Sequence, residues 1–174
     1  MVPQIETARL RLRGIRTDDL DCWADVCADP EVVRHLGGTI FSREDTWRRL
    51  LATAGSWAML GFGYWAVERR EGGGMIGHAG LSDFKREIAP SIEGLPEMGW
   101  VFAREAQGQG YASEAVDAGL AWADQALNGP KIAAIINHDN AASIRLAEKA
   151  GFSVREEAQY KGEPILIFRR PARA

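Results

Sequence analysis

Apolar and polar positions exchange at every second residue early in the chain, where Leu10, Leu12 and Gly14 alternate with Arg9, Arg11 and Arg13. That period predicts a half-buried first strand over Ile5 to Ile15. Thr17-Asp-Asp-Leu then has the composition of a helix start, with Thr17 as cap and Asp18 and Asp19 at the positive end of the dipole. This helix is expected to stop near Pro30. Ser42-Arg-Glu-Asp opens a second helix that carries Trp47, Leu50 and Leu51 toward Gly55. Tyr64 to Arg69 and Met75 to Leu81 read as a hairpin around the turn Glu71-Gly-Gly-Gly, and Lys85 to Pro96 reads as a loop.

A strand follows from Glu97 to Phe102. In it Met98, Trp100 and Phe102 face one way and Glu97, Gly99 and Val101 the other, so Glu97 keeps off the larger apolar set. From Tyr111 to Leu127, Ala112, Ala115, Val116, Gly119, Ala123 and Ala126 recur at helical spacing, a small face suited to lying close on a sheet. Asn128-Gly-Pro ends that helix, and the almost wholly apolar Ile132 to Ile136 is expected to be a central strand. Asn140 to Ala150 predicts a short helix closed by Gly151, with Val154 and Ile165 to Phe168 in two last strands around Lys161-Gly-Glu-Pro. This order predicts a mixed α/β domain with helices on both faces, and no linker divides residues 1–174.

The chain has 174 residues and a formal net charge of -3 without blocks of like charge, which argues against a nucleic-acid surface or a polybasic membrane anchor. Cys22 and Cys27 fall on different faces of a helix and read as packing residues. The first residues lack the basic-then-apolar pattern of a secretory leader, so a cytoplasmic location is expected. His35, His78 and His138 have no paired metal spacing, so no metal is implied.

The chemistry is concentrated between Trp100 and Ala115, where a strand passes through Gln107-Gly-Gln-Gly-Tyr-Ala into a helix. Glycines reach unusual backbone angles and lack a β-carbon, so N–H groups there can converge on a ligand. The helix start adds unsatisfied N–H groups and its dipole, which suits phosphate oxygens. No Gly-Lys-Ser/Thr triplet occurs, and Gly108 and Gly110 are followed by Ser113 rather than a third glycine. The common nucleotide-hydrolase and dinucleotide loops are therefore disfavoured. A plain tight turn without a ligand stays open on this reading.

Gln107-Gly-Gln-Gly-Tyr-Ala resembles the Gln/Arg-x-x-Gly-x-Gly/Ala signature of the GNAT acetyltransferase superfamily. Ile5-Glu-Thr-Ala-Arg-Leu-Arg-Leu-Arg, Asp29-Pro-Glu-Val-Val-Arg-His-Leu-Gly-Gly and Asp139-Asn-Ala-Ala-Ser-Ile-Arg-Leu-Ala-Glu-Lys-Ala-Gly-Phe are similar to segments of its RimJ/RimL-like branch. The resemblance implies a mostly antiparallel sheet of about six to seven strands with a splayed central pair. It implies acetyl-CoA as co-substrate, with its pyrophosphate on Gln107, Gly108, Gln109, Gly110, Tyr111, Ala112 and Ser113. The pantetheine arm would run along Val101, Phe102 and Ala103 and bond to Asn137 and Asn140, the last of which also suits a plain helix cap.

By the same resemblance an amine attacks the thioester directly, giving an oxyanion and a departing thiolate. Glu97 is the candidate base, a backbone N–H near Val101 the oxyanion donor, and Ser143 the acid toward sulfur. Glu97 otherwise reads as a solvated strand carboxylate and Ser143 as a first-turn serine. The tyrosine that many members use as acid is here Ala147, and Gln159 rather than an acidic residue precedes Tyr160, so the particular substrate of RimL does not carry over. Glu157 and Glu163, near that turn, are alternatives for attracting a cationic amine or serving as base, or are plain surface charges, and water is the alternative to Ser143 as acid. The acceptor cleft would be walled by the two early helices and the turn Tyr160 to Glu163, with Trp47, Trp57, Phe62 and Tyr64 as core or lining. The partner expected is an amine, on a small molecule or a protein N-terminus. Oligomeric state is open, a homodimer included, and a non-catalytic acyl-CoA sensor is the competing function.

Overall fold

The computed structural model describes residues 1–173, so the last residue of the expected 1–174 domain lies outside it. In chain order the strands are β1 (Ile5–Glu6), β2 (Leu10–Arg13), β3 (Tyr64–Arg69), β4 (Met75–Ser82), β5 (Glu97–Phe102), β6 (Ile132–Asn137), β7 (Val154–Tyr160) and β8 (Glu163–Arg170). The helices are α1 (Leu20–Ala28), α2 (Pro30–Val33), α3 (Arg43–Leu60), α4 (Tyr111–Ala126) and α5 (Ala141–Lys149). All eight strands make one sheet in the order β1-β2-β3-β4-β5-β6-β8-β7. Each neighbouring pair is antiparallel except β5 with β6. No helix among the described residues is long and apolar enough to cross a membrane.

The helices α4 and α5 cover one face over a core that includes Trp65, Met98, Phe102 and Ile136. The small face of α4 lets it approach closely: a β-carbon on Gly119 would stand 3.2 Å from Met98 Cε. The other face has two separate covers. Helices α1, α2 and α3 bury Trp23, Val26, Val32 and Leu50 against Ala66 and Met75, while Ile88 and Ile92 of the β4–β5 connection lie on Ala133, Ile165 and Ile167.

Several boundaries differ from the sequence pattern for local reasons. The first strand breaks at Thr7, whose N–H bonds back to Leu10 O at 2.9 Å and whose hydroxyl is tied to Glu114, so the sheet has eight strands rather than six or seven. Arg13 is buried rather than on a polar edge, held by Asp19 at 2.7 Å and Glu68 at 2.7 Å. Thr17 does not cap; the Asp19 carboxylate accepts the Arg16 N–H at 2.7 Å instead. Pro30 starts α2, with Asp29 accepting from Glu31 N–H at 2.9 Å, because a proline at a helix start sacrifices no bond. Helix α3 runs through Gly55 and ends at Gly61, which adopts the left-handed conformation with φ of 76°. The cap expected at Ser42 is present, its side chain accepting from the Asp45 N–H.

Candidate active site

Between β5 and α4 the chain makes a short 3-10 turn at Arg104–Ala106 and then the bend Gln107 to Gly110. Gly108 and Gly110 have φ of 73° and 79°, a region that costs an L-residue with a side chain roughly 1–2 kcal/mol. No side chain caps α4. The backbone N–H groups from Gly108 through Ser113 donate to no protein acceptor among the described residues. Donors left bare at the positive end of a 16-residue helix form a seat for an anion.

The bend is fixed from outside by Arg9, which sequence reasoning passed over as a strand arginine. Its Nη1 donates to Gln109 O at 2.8 Å, its Nε to Glu114 Oε2 at 2.7 Å, and its guanidinium lies 4.7 Å from the centre of the Tyr111 ring. Glu114 also accepts from the Arg9 N–H and the Thr7 hydroxyl. Burial works against its ionisation, but these donors win and hold its pKa below the ordinary carboxylate value. Gln107 secures the inner side, its Nε2 donating to Phe102 O at 3.0 Å.

A cleft of about 380 Å³ opens beside this bend. It brings together Val101, Phe102, Gln107, Gly108, Gly110, Tyr111, Ala112, Ser113, Asn140 and Ser143, all singled out from sequence. Its walls also include Trp100, the α2 residues Glu31 and Val32, and Arg145 and Lys149 on α5. The i, i+4 spacing of those two cations was the available signal for them. Four expected residues lie off the lining, Glu97 among them. The Gln109 carbonyl is held by Arg9, the Ala103 N–H is spent on Ile76 O at 2.9 Å, and Asn137 Oδ1 accepts the Asp139 N–H at 3.0 Å.

The cleft exists because β5 and β6 part. They share only the Glu97–Ala133 pairing, secured by Ala133 N–H to Pro96 O at 2.9 Å. Beyond it one edge of β5 has no strand partner. Alternation turns the N–H of Val101 toward β4, as the Ala103 bond to Ile76 requires, and those of Trp100 and Phe102 toward the open edge. The open-edge donors are thus the neighbours of Val101 rather than Val101 itself. On α5, Asn140 caps the helix by accepting the Ser143 N–H at 3.1 Å, and the Ser143 hydroxyl accepts from Trp100 Nε1 at 3.2 Å.

Glu97 is not a solvated carboxylate. It is only 4% exposed, and both its oxygens accept from Arg86, at 2.6 and 2.7 Å. Burial lowers the proton affinity of the Arg86 guanidinium, but the bonds and charge of Glu97 outweigh this and raise its pKa. Both carboxylate oxygens are thus engaged by one guanidinium rather than turned toward an incoming group. On the same face His78 lies 4.0 Å from the Trp23 ring and 4.9 Å from that of Tyr64, and burial lowers its pKa to about 3. Of the four aromatics considered for the acceptor side, Trp57 and Phe62 pack into the α4 core and Trp47 packs beside α1.

The family model for the acetyltransferase (GNAT) domain matches residues 9–153. The chain belongs to the GNAT acetyltransferase family. As a GNAT member it is an N-acetyltransferase enzyme. The uncharacterized protein YkkB of Bacillus subtilis is 28% identical over 174 residues, covering 96% of this chain and 95% of its own. The uncharacterized N-acetyltransferase p20 of Bacillus licheniformis is 26% identical over 167 residues, covering 93% and 91%. The acetyltransferase from Agrobacterium tumefaciens has a TM-score of 0.82 at 25% identity over 98% of this chain and 95% of that one. RimL, a ribosomal alpha-N-protein acetyltransferase solved in complex with coenzyme A, shares the fold with a TM-score of 0.79 at 15% identity over 98% of each chain.

Proposed function

We propose that this GNAT enzyme moves an acetyl group from acetyl-CoA to a primary amine by direct attack in a ternary complex. The observation that carries the reading is the row of unpartnered N–H groups from Gly108 through Ser113 at the head of α4. Their number suits a diphosphate, and Arg145 and Lys149 add positive charge along the same cleft. The open edge of β5 offers the N–H groups of Trp100 and Phe102 to an extended amide-bearing arm, with Asn140 across the cleft. The Ala103 N–H and Asn137 Oδ1 are engaged elsewhere, so in this reading Asn137 reaches the arm only through its Nδ2.

Acetyl-CoA, a substrate, supplies an electrophilic thioester carbon. The amine nitrogen attacks that carbon, the carbonyl pair moves onto oxygen, and the open-edge N–H groups of β5 receive the charge. As the carbon–sulfur bond breaks, Ser143 gives its hydroxyl hydrogen to sulfur and is reprotonated through water by the hydrogen that the amine sheds. The products are an acetamide and a free thiol, so every atom is accounted for. Glu97 serves here as the partner that fixes Arg86, not as the base. The fold shared with RimL supports a protein N-terminus as one acceptor class, beside small amines.

Thiol release can be followed with acetyl-CoA and three probes: phenethylamine, spermidine and a peptide with a free N-terminal serine. Release dependent on one of them supports the proposal. Thermal shift with CoA, ATP and NAD checks the ligand: stabilisation by CoA alone is expected, and stabilisation by ATP or NAD without CoA contradicts it.

A further inference from the structure

Tyr64 is 8% exposed, yet it belongs to none of the three apolar clusters. It stands in the seam between the two covers of its sheet face, with His78 at 4.9 Å on one side and Phe84, from the β4–β5 connection, at 6.3 Å on the other. Its hydroxyl has no hydrogen-bond partner among the described residues. That oxygen is not among the fully enclosed, unpartnered side-chain polar atoms of the described residues, which are Thr46 Oγ1 and Arg170 Nε, so it keeps a path to the outside by which an incoming group can supply the partner.

Gly99 points to the same spot. A β-carbon there would lie 2.1 Å from the Tyr64 hydroxyl oxygen and 3.2 Å from Cζ. The backbone of Gly99 is not in the left-handed region, so its conformation does not call for glycine. The space kept for the hydroxyl does. Gly99 sits on β5 just past the single residue that pairs with β6, beside the open edge that the proposed reaction uses. The charges nearest the seam are already matched, Arg86 with Glu97 and Lys85 with Asp83. What the seam offers an incoming group is therefore a neutral hydroxyl among rings.

Resting on the acetyl-transfer reading, we infer that the acceptor amine enters through this seam and that the Tyr64 hydroxyl accepts its N–H, turning the nitrogen lone pair toward the open edge of β5. Burial among apolar neighbours raises the Tyr64 pKa, so the phenol stays protonated and acts by hydrogen bonding, without taking the amine's proton. Gly99 is a positioning residue: it acts by leaving the hydroxyl in place.

The test uses Tyr64→Phe, Gly99→Ala and the double variant of the full chain, with thermal unfolding, calorimetric CoA binding, and kcat and KM for whichever of phenethylamine, spermidine or the N-terminal-serine peptide the unaltered enzyme acetylates fastest. Tyr64→Phe is expected to leave Tm and CoA affinity unchanged, since the hydroxyl has no protein partner to lose, and to lower kcat/KM for the amine about tenfold, the value of one hydrogen bond made at the reacting nitrogen. Gly99→Ala is expected to lower both Tm and kcat/KM, and most of the Tm loss should be recovered in the double variant. A Tyr64→Phe enzyme with unaltered kcat/KM overturns the inference, as does a Gly99→Ala loss of Tm that is the same with Phe at 64. If the unaltered chain binds CoA but acetylates none of the three amines, the acetyl-transfer reading itself fails, and this inference with it.

Discussion

Trp100 and Ser143 meet across the cleft, the indole N–H donating to the serine hydroxyl oxygen at 3.2 Å. A hydroxyl oxygen that accepts one hydrogen bond still has its own hydrogen to give, and the cleft is where that hydrogen has room to point. Ser143→Ala should therefore lower kcat by about 100-fold, within the range of general-acid catalysis, and leave CoA affinity nearly unchanged. Trp100→Phe keeps a ring in the wall while removing the donor, so it should cost less. Steady-state kinetics of the two single variants and the double variant decide the point: the double should be no slower than Ser143→Ala alone. Additive losses break the proposed link.

Arg9 provides a prediction at a residue far from the loop in sequence. It is about half exposed, yet three of its groups converge on Gln109 O and Glu114. Arg9→Ala should loosen the bend and weaken CoA binding about tenfold, or roughly 1.4 kcal/mol, with little change in kcat at saturating CoA. Arg9→Lys should recover little, because a single ammonium cannot reproduce the fork. Calorimetry with CoA measures both.

The strands, the α4 face and the glycine-bearing bend were legible because each has a local signature: alternation, small residues at helical spacing, and glycines at a strand-to-helix junction. What was not legible depends on partners distant in the chain. Glu97 reads as a surface carboxylate until Arg86 closes on it, and Arg13 reads as an outward strand residue until Asp19 and Glu68 surround it. Tyr64 is one aromatic among several in the sequence; only the register that sets β3 and β5 on either side of β4 brings its hydroxyl over Gly99. Which N–H groups near Val101 face the open edge was not legible for a similar reason, since the direction of a strand N–H depends on which partner is paired.

Glu97→Gln discriminates a structural pair from a catalytic base. Leaving Arg86 without its anionic partner in a mostly buried site should lower stability by about 3 kcal/mol. The pH profile of kcat/KM should keep its acid limb. Thermal unfolding and a pH–rate series report the two effects, and disappearance of that limb with Tm unchanged restores Glu97 as the base.

Stability should depend on pH in two steps. His78 has its pKa lowered to about 3 by burial, so between that value and the unfolded value of about 6.5 the unfolded chain binds the extra proton. Stability is then lost as pH falls below about 6.5. Glu68 and Glu114 resist burial through bonds to Arg13 and to Thr7 and Arg9, and Asp124 is held by Arg170; all three have lowered pKa values. Their contributions are full above the unfolded carboxylate value of about 4 and fade as pH falls through the folded values. Tm should decline gently from about pH 6.5 and steeply below about pH 4. His78→Phe should abolish only the gentle part; a His78→Phe profile parallel to the original throughout removes His78 from the account.

The central claim is that the N–H groups from Gly108 through Ser113 face a diphosphate. Amide chemical shifts of isotopically labelled protein test it most directly, in titrations with CoA and with pantetheine, which lacks the diphosphate. The account predicts large downfield shifts of those amide protons with CoA and much smaller ones with pantetheine. Saturable CoA binding that leaves the Gly108 to Ser113 amides unmoved would contradict it.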